Sequence, residues 1–210
     1  MFMSRFRILA ALIAAASATA PVVAQDAEPA AETQNSNIES AIDFAKALTA
    51  GATTALTDAD ASEAERLENF RVVLSDGLAL ETIGKFMLGE SRKTMTDAQT
   101  ARYNSIFSPY ITKLYAEQFE EIVGKPLEVV DAKAIGSRDV IVRTQFERKD
   151  DAPIMVDWRV RKLQSGEHKA IDIIVSGVSI MLVKREEFSS FIASNGIDAL
   201  LDRLEQETMA

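Results

Sequence analysis

The sequence contains no cysteine, and this absence removes several chemistries at once. Zinc–thiolate sites, iron–sulfur clusters, thiol nucleophiles and disulfides all require cysteine. An N-terminal lipoprotein anchor also requires a cysteine to acylate and is excluded with them. The single histidine, His168, excludes a metal site built from several histidines. We therefore expect neither a metal nor a cofactor.

Basic residues are scarce relative to acidic ones. The 210-residue chain has 23 Lys and Arg against 32 Asp and Glu, a formal charge of −9 and a pI near 4.8. Nucleic-acid binding needs a basic footprint, so no nucleic acid is expected as a partner. The balance of 47% hydrophobic and 26% charged residues is typical of a globular protein. No strong linker interrupts the chain, and we expect one domain.

The first 24 residues have the features of an export signal. Arg5 and Arg7 precede a short apolar run over residues 8–18, and residues 22–24 supply small side chains for cleavage. A membrane anchor is the alternative, but the apolar run is too short to cross a bilayer comfortably. We predict a signal peptide over residues 1–24 and delivery to a compartment of the cell envelope.

The segment that follows differs in composition from the rest of the chain. Residues 25–37 are rich in Ala, Glu, Gln and Asn without an apolar period, which predicts a flexible lead-in. From Ile38 onward, apolar residues recur at intervals of three and four, as on one face of a helix. We place the folded domain at residues 38–207.

Two capping boxes mark predicted helix starts. Ser62 is followed by Glu65, and Thr96 is followed by Gln99, at the spacing that lets each pair satisfy the other's backbone N–H. The helix that starts after Thr96 is the longest predicted one, and Pro109 lies inside it. A proline within a helix removes a backbone hydrogen bond, so we expect a bend there.

Three later stretches alternate apolar and polar residues with a period of two, which predicts strands with one buried face. The inward residues would be Val140, Val142, Thr144 and Phe146, then Ile154, Val156, Trp158 and Val160, then Ile171, Ile173 and Val175. A weaker strand starts at Leu127, and short turns join neighbouring strands, so the pairing is antiparallel. The chain is predicted to be α+β, with helices packed on a four-stranded antiparallel sheet.

Charged residues on the other face of these strands have two interpretations. Arg143, Arg159 and Arg161 could form a basic patch for an acidic partner or a phosphate, or they could pair across strands with Asp157, Glu147 and Asp172. The pairing interpretation is favoured. Asp157 and Asp172 are expected on the wet face, where nothing would raise a carboxyl pKa, so acid–base catalysis is not expected.

Several motifs together carry a family resemblance. They are Leu88-Gly89, residues 156–160 (VDWRV), residues 172–179 (DIIVSGVS), Arg185, Phe188, residues 196–200 (GIDAL) and Leu204. In this order the chain resembles the MlaC family, also called toluene-tolerance proteins, over roughly residues 38–207. The departures are Ser91 and Arg92, where members often have an aromatic pair, and Ser176, where an acidic residue is common.

The resemblance implies a fold, a function and partners. The fold would be NTF2-like, a curved sheet with helices across it and an apolar cavity between them. The function would be that of a periplasmic phospholipid carrier, not an enzyme. Its partners would be phospholipid with two acyl chains, an inner-membrane ABC transporter complex with MCE domains, and an outer-membrane lipoprotein–porin complex.

Candidate lipid-lining residues follow from the predicted faces and the implied cavity. They are Phe70, Leu74, Phe86, Phe107, Tyr110, Leu114, Val142, Thr144, Val156, Trp158, Ile173 and Val175. An ordinary closed core is the alternative for any one of them. Tyr103, Tyr110 and Tyr115 could touch a lipid headgroup or could be buried and bonded to backbone.

Two other functions remain open at this stage. The cargo could be another lipid, such as a hopanoid, because the sequence does not separate the two. An NTF2-like isomerase or cyclase is the enzyme alternative. It would need an acidic residue or a histidine on the inward strand faces, and none is predicted there.

Overall fold

The structure, a computed structural model, describes residues 27–119, 125–148 and 151–209. The predicted signal peptide lies outside the described residues. The helices are α1 (Ala27–Thr57), α2 (Glu63–Gly77), α3 (Leu80–Leu88), α4 (Asp97–Phe119), α5 (Ile180–Asn195) and α6 (Ile197–Met209), with a 3-10 turn at Gly89–Lys93. The strands are β1 (Leu127–Ile135), β2 (Asp139–Phe146), β3 (Ile154–Lys162), β4 (His168–Val175) and β5 (Val178–Ser179). Over the described ranges, none of these helices has the length and apolar character that a bilayer crossing requires.

Helix α1 begins earlier than the sequence pattern indicated. The sequence pattern predicted a flexible lead-in at residues 25–37. This prediction is wrong for residues 27–37, which are helical. Ala, Glu and Gln favour helix even where no apolar period is present. The side-chain oxygen of buried Asn37 also lies 2.9 Å from Nε2 of His168 on β4, so this part of α1 is tied to the sheet.

Both predicted capping boxes are formed. The Ser62 hydroxyl accepts a hydrogen bond from the Glu65 N–H at 3.3 Å, and the Glu65 carboxylate accepts from the Ser62 N–H at 2.8 Å. The Thr96 hydroxyl and the Gln99 side chain make the same reciprocal pair at 3.2 and 3.0 Å. These bonds satisfy N–H groups that a helix start leaves without intrahelical partners. Pro109 lies inside α4, as predicted.

The sheet is antiparallel, with strand order β1-β2-β3-β4-β5. The first four strands match the predicted meander, and the two-residue β5 adds a short fifth strand. Ser176 and Gly177 join β4 to β5 with φ values of 49° and 84°. Two positive φ values in succession make a tight hairpin turn whose twist suits the flanking strands, and glycine adopts this conformation without a steric cost.

Helices cover one face of this sheet. Helix α1 packs across β1, β2, β3 and β4, while α2 packs against α1 and β4. Helices α3 and α5 pack against each other and against β4. Helix α4 packs against α2, α3 and α6. The apolar side of the sheet therefore faces a layer of helices, as the α+β prediction required.

Candidate functional site

Strand pairing arranges the inward side chains in four rows that run across the sheet. The rows are Leu127–Phe146–Ile154, Val129–Thr144–Val156–Val175, Ala132–Val142–Trp158–Ile173 and Ala134–Val140–Val160–Ala170. We call these four rows the apolar wall. All six strand residues predicted to line a lipid site lie in its two middle rows. The alternation in the sequence therefore located neighbours in space as well as a common face.

One polar side chain lies within the wall and is satisfied there. Thr144 is fully buried, and its hydroxyl donates to the Val156 carbonyl at 2.7 Å. The same oxygen accepts a hydrogen bond from Nε1 of Trp158 at 3.1 Å. These bonds leave the surface of the wall hydrocarbon and aromatic in character, because its polar atoms are paired internally.

The predicted helix residues pack in the same hydrophobic cluster. Phe70 and Leu74 of α2, and Phe107 and Tyr110 of α4, are buried in it. Leu114 and Phe86 are partly buried and pack against it. The guanidinium of Arg185 lies 4.4 Å from the centre of the Phe86 ring, so Phe86 forms part of the α3–α5 contact.

The centre of the wall is closed to water in this arrangement, while its β1 edge is partly exposed. Val142 and Trp158 of the wall, and Phe70 of α2 in the same hydrophobic cluster, each have 0% of their surface exposed. These side chains therefore contact other protein groups on all sides. The centre of the wall is thus an apolar surface covered by helices.

Comparison with known proteins identifies the family. Residues 46–206 match the family described as MlaC protein. The chain belongs to the MlaC family. The resemblance predicted from the sequence motifs is therefore confirmed.

This MlaC-family chain is similar to two known proteins, one in sequence and one in structure. The intermembrane phospholipid transport system binding protein MlaC from Haemophilus influenzae (strain Rd) is 25% identical over 130 residues, which is 60% of this chain and 61% of that protein. The match thus spans less than two thirds of the relative's length. The solved phospholipid-binding protein from Ralstonia solanacearum, in complex with a phospholipid, superposes with a TM-score of 0.59. The two sequences are 18% identical, and the superposition covers 88% of this chain and 97% of the Ralstonia chain. At this identity the likeness is one of fold.

The contact face of α1 was not among the predicted site residues. Ala41, Ala45, Leu48, Ala52 and Ala55 recur at intervals of three and four, and all are buried. Small side chains let this helix lie close to the four long strands that it crosses. The spacing is visible in the sequence, but alanine is common on both buried and exposed helix faces. Composition alone therefore gave no reason to choose these positions.

A bulge changes the phase of β4 in this MlaC-family sheet. The pairing register shifts between Arg159 and Val160, so Ala170 pairs with Val160 in place of Ile171. The prediction that Ile171 shares a face with Ile173 is wrong at this point. An extra residue in one strand reverses the side-chain alternation beyond it.

Asp172 is buried, contrary to the expectation that it lies on a wet face. Only 5% of its surface is exposed. Its carboxylate accepts hydrogen bonds from the Ser179 hydroxyl at 2.6 Å and the Met181 N–H at 3.4 Å, at the start of α5. Burial raises the pKa of Asp172, although these hydrogen bonds oppose the rise. Asp172 therefore ties β4 to α5.

The three arginines on the outer strand face are paired, as the favoured interpretation held. Arg143 contacts Asp157 through two hydrogen bonds of 3.0 Å. Arg159 and Arg161 both contact Asp139, at 2.7 and 2.6 Å. Hydrogen bonds from Arg161 and then Arg159 lower the pKa of Asp139. The acidic partner of this second group is Asp139, not the predicted Glu147 and Asp172.

The three tyrosines of α4 are all buried. The Tyr103 hydroxyl donates to the Gly84 carbonyl at 3.1 Å, which is the buried and backbone-bonded alternative. The hydroxyls of Tyr110 and Tyr115 have no hydrogen-bond partner among the described residues. Burial raises the pKa of each tyrosine, so all three stay neutral donors at physiological pH.

Proposed function

We propose that this protein carries phospholipid through the periplasm by sheltering its acyl chains against the apolar wall. A lipid with two chains exposes about 30 methylenes, each of which costs about 0.8 kcal/mol in water. Unassisted crossing of an aqueous gap is then disfavoured by roughly 20 kcal/mol or more. The observation that carries the proposal is the set of four continuous apolar rows under a helical cover.

The acyl chains would lie between the wall and the helices that cover it. The proposed contacts are Phe70, Leu74, Phe86, Phe107, Tyr110, Leu114, Val142, Thr144, Val156, Trp158, Ile173 and Val175. Closing the helices over the sheet without lipid also buries these side chains. Exchange of helix contacts for acyl-chain contacts keeps apolar surface out of water in both states, so loading and unloading stay near balance. An apolar cavity would thus open with the lipid, and the domain over residues 38–207 would act as one binding unit.

The cellular route is the second part of the proposal. The predicted signal peptide would deliver the chain to the periplasm. The names of the two relatives, an intermembrane phospholipid transport protein and a phospholipid-binding protein, support this placement and cargo. The exchange partners would be an inner-membrane ABC transporter complex with MCE domains and an outer-membrane lipoprotein–porin complex.

Lipid extraction from the purified protein followed by mass spectrometry tests the cargo. We expect about one phospholipid with two acyl chains per protein. A hopanoid mass in its place would reassign the cargo and refute the phospholipid proposal. Protein that arrives without lipid and takes up none from phospholipid vesicles would refute the carrier function itself.

A fluorescence measurement tests where the chains lie. Trp158 is the single tryptophan of the chain and is fully buried in the wall. Phospholipid brominated along its acyl chains should quench its emission on loading, while the same lipid brominated on its headgroup should not. The Trp158→Phe variant supplies the background signal. Loaded protein whose emission is unchanged by chain bromination would place the chains away from the wall.

A further inference from the structure

Two buried hydroxyls on α4 lack the partners that buried polar groups normally have. Tyr110 is 4% exposed and Tyr115 is 0% exposed, and neither hydroxyl bonds to any of the described residues. Tyr103, two turns before Tyr110 on the same helix, donates to the Gly84 carbonyl. Unpaired buried polar groups are rare because they lose hydrogen bonds to water without replacement. An external acceptor is one explanation for such a donor.

Tyr110 differs from Tyr115 in what lies around it. The Lys184 ammonium on α5 lies close to the Tyr110 hydroxyl and lowers its pKa through its charge and a marginal hydrogen-bond contact, although burial keeps that pKa raised. An ammonium only donates, so the hydrogen of the Tyr110 hydroxyl still has no acceptor among the described residues. The charge of the Asp172 carboxylate, by contrast, raises the pKa of Tyr115. Phe188 of α5 packs against Tyr110, with ring centres 6.0 Å apart. Tyr110 thus stands between the apolar interior and a cation.

Lys184 retains a donor for a further anion. Its side chain is 19% exposed, and its ammonium donates to the Glu187 carboxylate at 2.9 Å. An ammonium has three donors, so this bond and the contact with Tyr110 leave one of them for a further anion. Glu187 also pairs with Arg203, so the negative charge of Glu187 is shared between Lys184 and Arg203. Because Tyr110 is 4% exposed and the Lys184 side chain is 19% exposed, the order from the interior outward is apolar side chains, a neutral hydroxyl donor and an ammonium.

A glycerophospholipid presents complementary groups in the same order: acyl chains, ester carbonyls and a phosphate. We propose that the Tyr110 hydroxyl donates a hydrogen bond to an ester carbonyl of the bound lipid, while Lys184 pairs with its phosphate. This inference rests on the proposed carrier function and names the side chains that bind the ester and phosphate groups of the lipid. Tyr110 is then a specificity-determining residue, because an ether-linked lipid has no carbonyl to accept its hydrogen bond.

The test compares two lipids that differ only in this linkage. Vesicles holding equal amounts of dioleoyl-phosphatidylglycerol and its diether analogue are incubated with the protein, and the bound ratio is read by mass spectrometry. One hydrogen bond to an uncharged group corresponds to roughly a fivefold preference for the diester. Tyr110→Phe should bring the ratio to about one, through weaker diester binding and unchanged diether binding.

Two variants separate recognition from folding. Tyr103→Phe removes a hydroxyl that has an internal partner, so it should lower the melting temperature and keep the diester preference. Tyr110→Phe should leave the melting temperature of the lipid-free protein unchanged or higher, because it removes an unpaired polar group. Lys184→Gln should weaken the binding of both lipids several-fold and leave their ratio unchanged.

Several results would overturn this inference. One is that the wild-type protein binds the diester and the diether equally. Another is that the Tyr110→Phe variant keeps the diester preference. Equal losses for both lipids in Tyr110→Phe would also overturn it, since they would indicate general damage. In all three cases phospholipid binding, and with it the carrier function, stands. Failure of the wild-type protein to bind either lipid would instead refute the carrier function.

Discussion

Trp158 is the side chain whose removal should most disturb the apolar wall. Its ring has no exposed surface and lies in the row between Val142 and Ile173. Replacing a buried tryptophan by alanine costs about 3–5 kcal/mol through lost burial and the cavity left behind. For a chain of this size, each kcal/mol lowers the melting temperature by about 2–4 °C. Trp158→Ala should therefore melt roughly 6–20 °C below the wild type when lipid-free.

Lipid should reduce that loss if the acyl chains lie against the wall. An apolar cavity in a protein core takes up hydrocarbon ligands, so a bound chain can occupy the space that the indole leaves. We expect the difference in melting temperature between wild type and Trp158→Ala to be smaller in saturating phospholipid than in the lipid-free protein. Differential scanning calorimetry on delipidated and loaded samples measures both differences.

Matched controls make this experiment decisive. Val130→Ala on β1, where the side chain is half exposed, should change the free energy of unfolding by less than about 0.5 kcal/mol. A lipid-free loss below about 1 kcal/mol for Trp158→Ala would contradict the burial of the ring. A loss that is the same with and without lipid would contradict contact between the chains and this part of the wall.

Two further predictions concern stability. Asp139→Asn should lower the free energy of unfolding by about 2 kcal/mol at pH 7, because Asp139 accepts hydrogen bonds from Arg159 and Arg161. A lowered carboxyl pKa gives its full stabilisation above the unfolded value of about 3.9, and this stabilisation is lost as the pH falls through the lower pKa of the folded state. The gap between wild type and variant in urea titrations should therefore narrow as the pH falls below about 3.9, and a gap that stays the same from pH 7 to about pH 2.5 would contradict the pairing. Ser62→Ala should cost about 1 kcal/mol in the same assay by opening the capping box with Glu65, and no loss would show that α2 does not need its cap.

The features that the sequence predicted well depend on local chemistry. The reciprocal bonds of Ser62 with Glu65, and of Thr96 with Gln99, need only residues three positions apart. The inward faces of β2 and β3 follow from an alternation that continues without interruption. Trp158 was therefore placed in the wall correctly, and strand pairing then put it beside the other predicted lining residues.

The features that the sequence did not predict depend on contacts between distant segments. The β4 bulge has no signature in the alternating pattern, so Ile171 was assigned to the face that Ala170 occupies. Asp172 was expected at the surface because β5 and the start of α5, which bury it, were not foreseen. The early part of α1 was missed because its partner, His168, lies 131 positions away from Asn37.

The four-row arrangement also sets a physical length. Successive rows are two residues apart along a strand, and each residue advances about 3.3 Å, so four rows extend over about 20 Å. The hydrocarbon core of a bilayer is about 30 Å thick, which allots about 15 Å to the acyl chains of each leaflet. A fatty chain laid parallel to the strands therefore fits within the height of the sheet. The terminal methyl and the ester end of such a chain can therefore both contact the protein at the same time.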